Sequence, residues 1–378
     1  MDQAANARAM QSQTQPGVHG SKRVLELDGL RAFAILPVLL AHSYPPHASV
    51  LTTIGQAGWM GVDLFFVLSG YLITGILVET VHKEHYYRNF IARRTIRIFP
   101  LYYVCLLLFV ATGSLLYGAA SWDRMRAWGV GWFFVYLGNV RQAWIHRLPS
   151  ELSFIPLWSL QVEEQFYLLF PLAVWLLSRR NLMRLLIVCT VLAPLIRICL
   201  WYLHPGDIAQ VQVLMTSRMD ALSMGGIVAL LTRARPAWLR PERLMIVGSL
   251  TGAATFAIGL KYGFLFFEDA AMRTIGFTLI DLCCASILCW IVLSPGSRIA
   301  AALRWKPLVY TGTIAYGLYL LHMPAAAAGR KLVAHLTGSG IEDHSFRSMA
   351  IMIPAAFLCA SLSWRFFERP ILKLKDRF

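Results

Sequence analysis

Two ionisable side chains eleven positions apart, Arg31 and His42, stand in a segment from Val24 to Tyr44 that is otherwise almost entirely apolar. On a helix turning about 100° and rising about 1.5 Å per residue, that spacing brings His42 to within about 20° of the Arg31 face, about 16 Å further along the axis. One stripe then carries a guanidinium, which suits a phosphate or carboxylate, and an imidazole, which can act as a base near neutral pH. Charge inside hydrocarbon costs at least about 2.5 kcal/mol, so an intramembrane Arg on the face of a His marks a functional site by default. Asp28, three residues before Arg31, offers a plainer reading. The two form a structural ion pair near the inner interface and His42 is a satisfied interfacial residue.

Other polar residues interrupt later apolar runs. GWMGVDLFFVLSGYLITGIL carries Asp63 and Ser69 among glycines that admit a close backbone or an extended ligand. Asp63 lies close to the expected depth of His42, where it either orients the imidazole or serves as an interfacial N-cap. YYRNFIARRTIRIFP brings Arg93, Arg94 and Arg97 onto one or two turns. Guanidinium forks at that density chelate phosphate oxygens, although a basic juxtamembrane helix also serves as a topology anchor. LWSLQVEEQFYLLFP carries adjacent Glu163 and Glu164, whose directions diverge by about 100°, so only one faces the interior. Arg197, Asp281, Arg218 and Asp220 are candidates for structural ion pairs. His322, in YGLYLLHMP, reads as a packing or hydrogen-bonding histidine ahead of a catalytic one.

The elements that must position these residues follow from composition. The 378 residues are 57% hydrophobic and only 15% charged, with mean hydropathy +0.56, whereas a soluble globule carries about 25% charge. The chain reads as an all-α, polytopic membrane helix bundle embedded in a lipid bilayer. Its net charge of +15 would suggest nucleic acid in a soluble domain, but here the basic residues fall between apolar runs as topology signals, which argues against nucleic-acid binding. The seven cysteines lie inside apolar runs without metal-ligand spacing, so they read as packing residues and no metal is expected.

Apolar runs of spanning or near-spanning length occur at 24–44, 58–79, 98–118, 158–178, 185–203, 213–232, 244–262, 272–293, 308–328 and 345–364, ten in all. A further run at 128–140 is short and aromatic. Were it to cross, the basic loops from Arg179 to Lys306 would face outward, against the positive-inside bias, so it is expected to be re-entrant or interfacial. Residues 1–22 read as a disordered cytoplasmic tail, 23–370 as one membrane domain and 371–378 as a basic cytoplasmic tail. Trp59, Trp158 and Trp201 on one side, with Trp238, Trp305 and Trp364 on the other, suit aromatic belts.

Taken in order, LDGLRAFAILPVLLAH, GVDLFFVLSGYLIT, ARRTIRIFPLYY, WSLQVEEQFYLLFP, RMDALSMGG, YGLYLLHMP and FFERP resemble the acyltransferase-3 family of integral membrane acyltransferases, which includes bacterial O-antigen and exopolysaccharide O-acetylases. The match runs from about Leu25 to Pro370, nearly the whole chain. The resemblance implies transfer of an acyl group, by default acetyl, from cytosolic acyl-coenzyme A to a hydroxyl of an outer-side acceptor. That acceptor is a glycan, a lipid-linked glycan or a small hydroxylated molecule. It further implies an enzyme of the bacterial cytoplasmic (inner) membrane with both termini cytoplasmic, essential roles for Arg31 and His42, and matches at Arg94, Arg97 and Glu163. Many relatives append a soluble extracytoplasmic domain. This chain ends at Phe378, so it is expected to act alone or with a separate extracytoplasmic partner.

These readings combine into one expectation. Arg94 and Arg97, with Arg93 beside them, take the phosphates of the coenzyme, and Arg31 steadies the carrier partway in. His42 serves as general base or transient acyl carrier, with Glu163 or Asp63 fixing its ring. The competing class is a transporter or flippase for a glycan or lipid intermediate, which accounts for many spans and buried charge without catalysis. A catalytically silent sensor on the same scaffold is a third reading, against which the retained Arg31 and His42 stand.

Overall fold

The computed structural model describes residues 24–43, 55, 57–149, 154–262, 270–338 and 346–378. The expected tail at 1–22, Tyr44 at the end of the first run and Ser345 at the start of the last run lie outside the described residues. The described residues are helical throughout, with no strand among them.

Nine of the ten expected runs coincide with a helical segment, and the ninth in order, 308–328, is corrected: it is split at Ile314 between the helices Lys306–Thr313 and Ala315–Thr337. The first is α1 (Leu25–Ser43), and a 3-10 turn, Ala57–Met60, leads into α2 (Gly61–Thr80). The basic segment and the third run form one helix, α3 (Tyr86–Ala127), broken at Gly118, whose φ of 68° and ψ of −162° lie outside helical space. After the short α4 (Gly138–Trp144) come α5 (Leu157–Leu176), α6 (Arg179–Leu203), α7 (Ile208–Val213) and α8 (Met215–Ala234). The chain continues through α9 (Pro241–Tyr262), α10 (Phe277–Leu293), α11 (Arg298–Leu303), α12 (Lys306–Thr313) and α13 (Ala315–Thr337). Last come α14 (Phe346–Ser363) and α15 (Arg369–Leu372), and the end of the chain lies against α3.

Seven helices among the described residues are long and apolar enough to cross a membrane. The other three of the ten, α1, α5 and α13, fall short in composition for one reason. They carry Glu26, Asp28 and Arg31, then Glu163 and Glu164, then His322, Arg330 and Lys331. These three helices bear Arg31, His42, Glu163 and His322, whereas Asp63, Arg94, Arg97 and Arg218 lie on helices apolar enough to span.

Burial separates centre from rim. Of the most apolar window of α8, 72% is buried, against 17% for α6, whose Ile187, Val188, Val191 and Leu195 face outward. Apolar side chains on a lipid-facing rim cost nothing, so association depends on close packing of small residues. The α2–α8 pair shows this reciprocally. A Cβ added at Gly70 would collide with the Leu222 backbone, and one added at Gly225 with that of Val67. Both glycines are therefore packing residues. Gly225→Leu should destabilise the protein by at least about 1–3 kcal/mol through overpacking, read as a fall in Tm of the detergent-purified chain; an unchanged Tm would refute this packing.

The aromatic run at 128–140 does not cross. It forms a 3-10 turn, Val130–Val135, and enters α4, with left-handed backbone at Gly129 and Tyr136. Six residues of 3-10 helix span about 12 Å, well short of a hydrocarbon core of about 30 Å. Irregular backbone at this depth must be satisfied by protein. Here Tyr102 and Tyr103 of α3 donate to the carbonyls of Phe133 and Phe134 at 2.8 Å each, and the Asn139 N–H donates to Gln161 of α5 at 2.5 Å.

Candidate active site

Two cavities meet at the centre of the bundle. The first has a volume of about 110 Å³ and is lined by Arg31, Ser69, Arg94, Arg97, Glu163 and Tyr167 among others. The second has a volume of about 270 Å³, and its lining includes His42, Trp59, Asp63, Trp158, Gln212 and Arg218. Val62 and Tyr319 line both, so they form the wall between them. The Tyr319 hydroxyl is held there by Ser159 at 2.6 Å and the Pro156 carbonyl at 3.0 Å. The single stripe expected on α1 thus opens into two places, with Arg31 in the first cavity and His42 in the second.

The first cavity is rich in cations. Arg31 pairs with Asp28 at 2.6 Å, as its spacing suggested, yet its side chain stays 25% exposed and faces the cavity. Arg94 lies over the Phe90 and Tyr167 rings at 5.7 and 5.8 Å, and neither Arg94 nor Arg97 forms an ion pair among the described residues. Glu163 accepts from Ser69 at 2.5 Å and from Tyr167 at 3.2 Å. Three guanidiniums facing one cavity with a single carboxylate in its lining leave positive charge that an anion would neutralise.

Arg93 is corrected. It is exposed and does not line the cavity, because on α3 its direction diverges by about 100° from that of Arg94, whereas Arg97, three residues on, returns to the same face. Arg93→Ala should leave acyl-coenzyme A affinity within about twofold of wild type by isothermal titration, since exposed ionic contacts contribute little; a tenfold loss would restore Arg93 to the site.

His42 is half-buried in the wall of the second cavity. Its Nδ1 lies 2.9 Å from the Val38 carbonyl of the preceding turn. A carbonyl only accepts, so Nδ1 carries the proton and Nε2 keeps its lone pair. The expectation that Glu163 or Asp63 fixes this ring is corrected. Glu163 belongs to the other cavity, and Asp63 is ion-paired with Arg218 of α8. The imidazole is instead fixed by its own helix and by His322, whose ring centroid lies 5.0 Å away. His322 is buried, with Nδ1 held by the Tyr319 carbonyl at 2.7 Å and Nε2 without a partner among the described residues.

Behind the second cavity lies a buried charge cluster. Arg197 pairs with Asp220 at 2.8 Å and donates to the Ser217 carbonyl, to the Thr274 carbonyl at 2.9 Å and to Thr278 at 2.5 Å. Arg218 stacks 3.8 Å over the Phe277 ring. The suggested pairs therefore resolve as Arg197–Asp220 and Arg218–Asp63. Asp281 is buried beside them, with its carboxyl against that of Asp63. Trp158 is also corrected: it is buried and lines the second cavity, whereas Trp238 and Trp305 are exposed as a belt requires. Sequence reasoning missed Tyr319 and Gln212 altogether. The signal available for Tyr319 was its place one turn before His322 in YGLYLLHMP.

Fold and site together define a polytopic membrane protein whose polar groups are gathered into two central cavities. A family model described as an acyltransferase domain matches residues 24–365, and the chain belongs to that acyltransferase-3 family. O-acetyltransferase OatA of Staphylococcus aureus is 30% identical over 372 residues, covering 92% of this chain and 57% of its own length. Peptidoglycan O-acetyltransferase OatA of Listeria monocytogenes is 28% identical over 372 residues, covering 94% and 57%. The chain thus spans a little over half the length of these curated relatives. No solved structure matches it.

Proposed function

We propose that the protein is a membrane O-acyltransferase, moving an acyl group, by preference acetyl, from cytosolic acyl-coenzyme A to a hydroxyl of a glycan-like acceptor at the opposite face. The observation that carries this reading is the division of one α1 stripe between two adjoining cavities, with Arg31 in the arginine-rich one and His42 in the other. Family membership and the names of the relatives support it. In this reading the bacterial cytoplasmic membrane holds the bundle, with the arginine end toward the cytosol.

The phosphates of the carrier engage Arg94 and Arg97 through charge-assisted hydrogen bonds, and Arg31 meets polar groups of its arm further in. Glu163, held by Ser69 and Tyr167, keeps a carboxylate among these cations. The thioester reaches the wall at Val62 and Tyr319. The Nε2 lone pair of His42 takes the proton of the acceptor hydroxyl while the oxygen attacks the thioester carbon. As the carbon–sulfur bond breaks, the imidazolium returns that proton to the departing thiolate. A second route begins with attack of Nε2 itself on the thioester and passes through an acyl-histidine. The wall favours considering it, because an acyl group parked on His42 has left the first cavity.

The test is release of coenzyme A thiol by the purified chain. Acetyl-coenzyme A with a polyhydroxylated acceptor should give acceptor-dependent release and an esterified product. Absence of product, together with transport of the acceptor into proteoliposomes, would overturn the reading in favour of a transporter.

A further inference from the structure

The second cavity carries more unsatisfied polar atoms than a lone catalytic histidine explains. Asp63 and Arg218 both line it and are fully buried, with side-chain exposures of 0% and 1%. They meet through one carboxylate oxygen, Oδ1, and one guanidinium nitrogen, Nη2. Arg218 Nε and Nη1 are left without partners among the described residues, as is Oε1 of Gln212 in the same lining, whereas the Asp63 carboxylate has the carboxyl of Asp281 beside it. Each such buried atom costs about 1–3 kcal/mol unless something occupies it. The fold does saturate a buried arginine elsewhere, since all three nitrogens of Arg197 have partners. Unpartnered buried atoms occur elsewhere in the chain as well, but those of Arg218 and Gln212 line one cavity.

The chemistry of an occupant can be read from these atoms. One free acceptor and two free donors in one lining suit groups that both donate and accept, which hydroxyls do and phosphates or carboxylates do not. The Arg218–Asp63 pair is formally neutral, so an anion gains little from it. Trp59 and Trp158 in the same lining supply flat apolar area. Hydroxyl edges combined with apolar C–H faces describe a sugar ring.

We propose that the Arg218–Asp63 pair and Gln212 form the acceptor subsite, which binds a neutral sugar ring and presents one hydroxyl to Nε2 of His42. The inference rests on the acyltransferase reading and adds the specificity-determining residues. Arg218 and Asp63 are then both a structural link between α2 and α8 and a ligand site.

The test uses the full purified chain and three probes: the neutral chitin tetramer, tetragalacturonate and octanol. Binding is followed by quenching of intrinsic tryptophan fluorescence, and acceptor KM by coenzyme A release. The neutral tetramer should bind better than either other probe. Gln212→Leu should weaken it about tenfold, with acetyl-coenzyme A affinity unchanged. The paired variant Asp63→Asn with Arg218→Gln, which strands no buried charge, should act in the same direction. Equal tetramer binding by wild type and both variants, or preference for the galacturonate, would overturn the subsite whatever the turnover. Tetramer binding that depends on Gln212, without any coenzyme A release, would sustain the subsite and overturn the acyltransferase reading. Should the paired variant fail to fold, Gln212→Leu alone decides.

Discussion

Replacing His42 by alanine should cut acyl transfer to a hydroxyl acceptor by about 10²–10⁴-fold, the usual contribution of a positioned general base, while acyl-coenzyme A binds as in wild type. The separation of the two effects follows from geometry, because His42 lines only the second cavity and the guanidiniums of Arg31, Arg94 and Arg97 face only the first. His42→Gln is a useful companion: it can place a polar atom near the Nε2 position but cannot act as a base, so it should be as inactive as alanine. Loss of the ring also removes its contact with His322, and a modest fall in Tm is expected in both variants. Product formation within threefold of wild type in either one would end the assignment of His42 to the chemistry.

The Arg94→Ala, Arg97→Ala double variant should lose acyl-coenzyme A affinity by on the order of 10²-fold or more. Each hydrogen bond to a charged group is worth about 1.5–3 kcal/mol, and two are removed. The wild-type affinity should also fall with added salt. A second readout has the opposite sign. Three arginines share a cavity lined by one carboxylate, so removing two relieves like-charge crowding, and the ligand-free variant should melt no lower than wild type. A residue kept for folding would behave the other way, losing stability along with affinity. Unchanged affinity by isothermal titration would return these arginines to the role of lipid anchor.

Much of the site was legible because helical spacing is a local property. Arg31 and His42 announced themselves by a shared stripe, and the structure puts them in adjoining cavities. The same arithmetic set Glu163 and Glu164 in different directions without saying which faces inward; the family motif pointed to Glu163, which lines the first cavity. It did not say which faces of α3 would be covered, since packing against α5 and α13 decides that, and Arg93 was therefore grouped with its neighbours. Partners across the bundle were beyond local pattern altogether. Asp63 finds Arg218 155 residues away, and nothing in GVDLFF specifies that contact over one with His42. Trp158 was assigned to an interface because tryptophan favours interfaces; its burial comes from Phe66 of α2, whose ring meets it edge-on at 5.9 Å. Most helices were legible because hydrocarbon length imposes itself on sequence directly, whereas the run at 308–328 joined two helices that part at Ile314.

The wall of Val62 and Tyr319 has a consequence for the cell that carries this protein. Any protein that joins two aqueous compartments end to end risks becoming a leak, and even a brief water thread would let ions run down the gradients that energise a membrane. One side of this wall is a branched hydrocarbon. The other is a phenol whose hydroxyl is already engaged by Ser159 and Pro156, which leaves little for a hopping proton to use. On the proposed reaction path a flat, neutral acyl group would slip past this barrier where a hydrated ion cannot, and the bilayer would stay insulating while a chemical group changed sides.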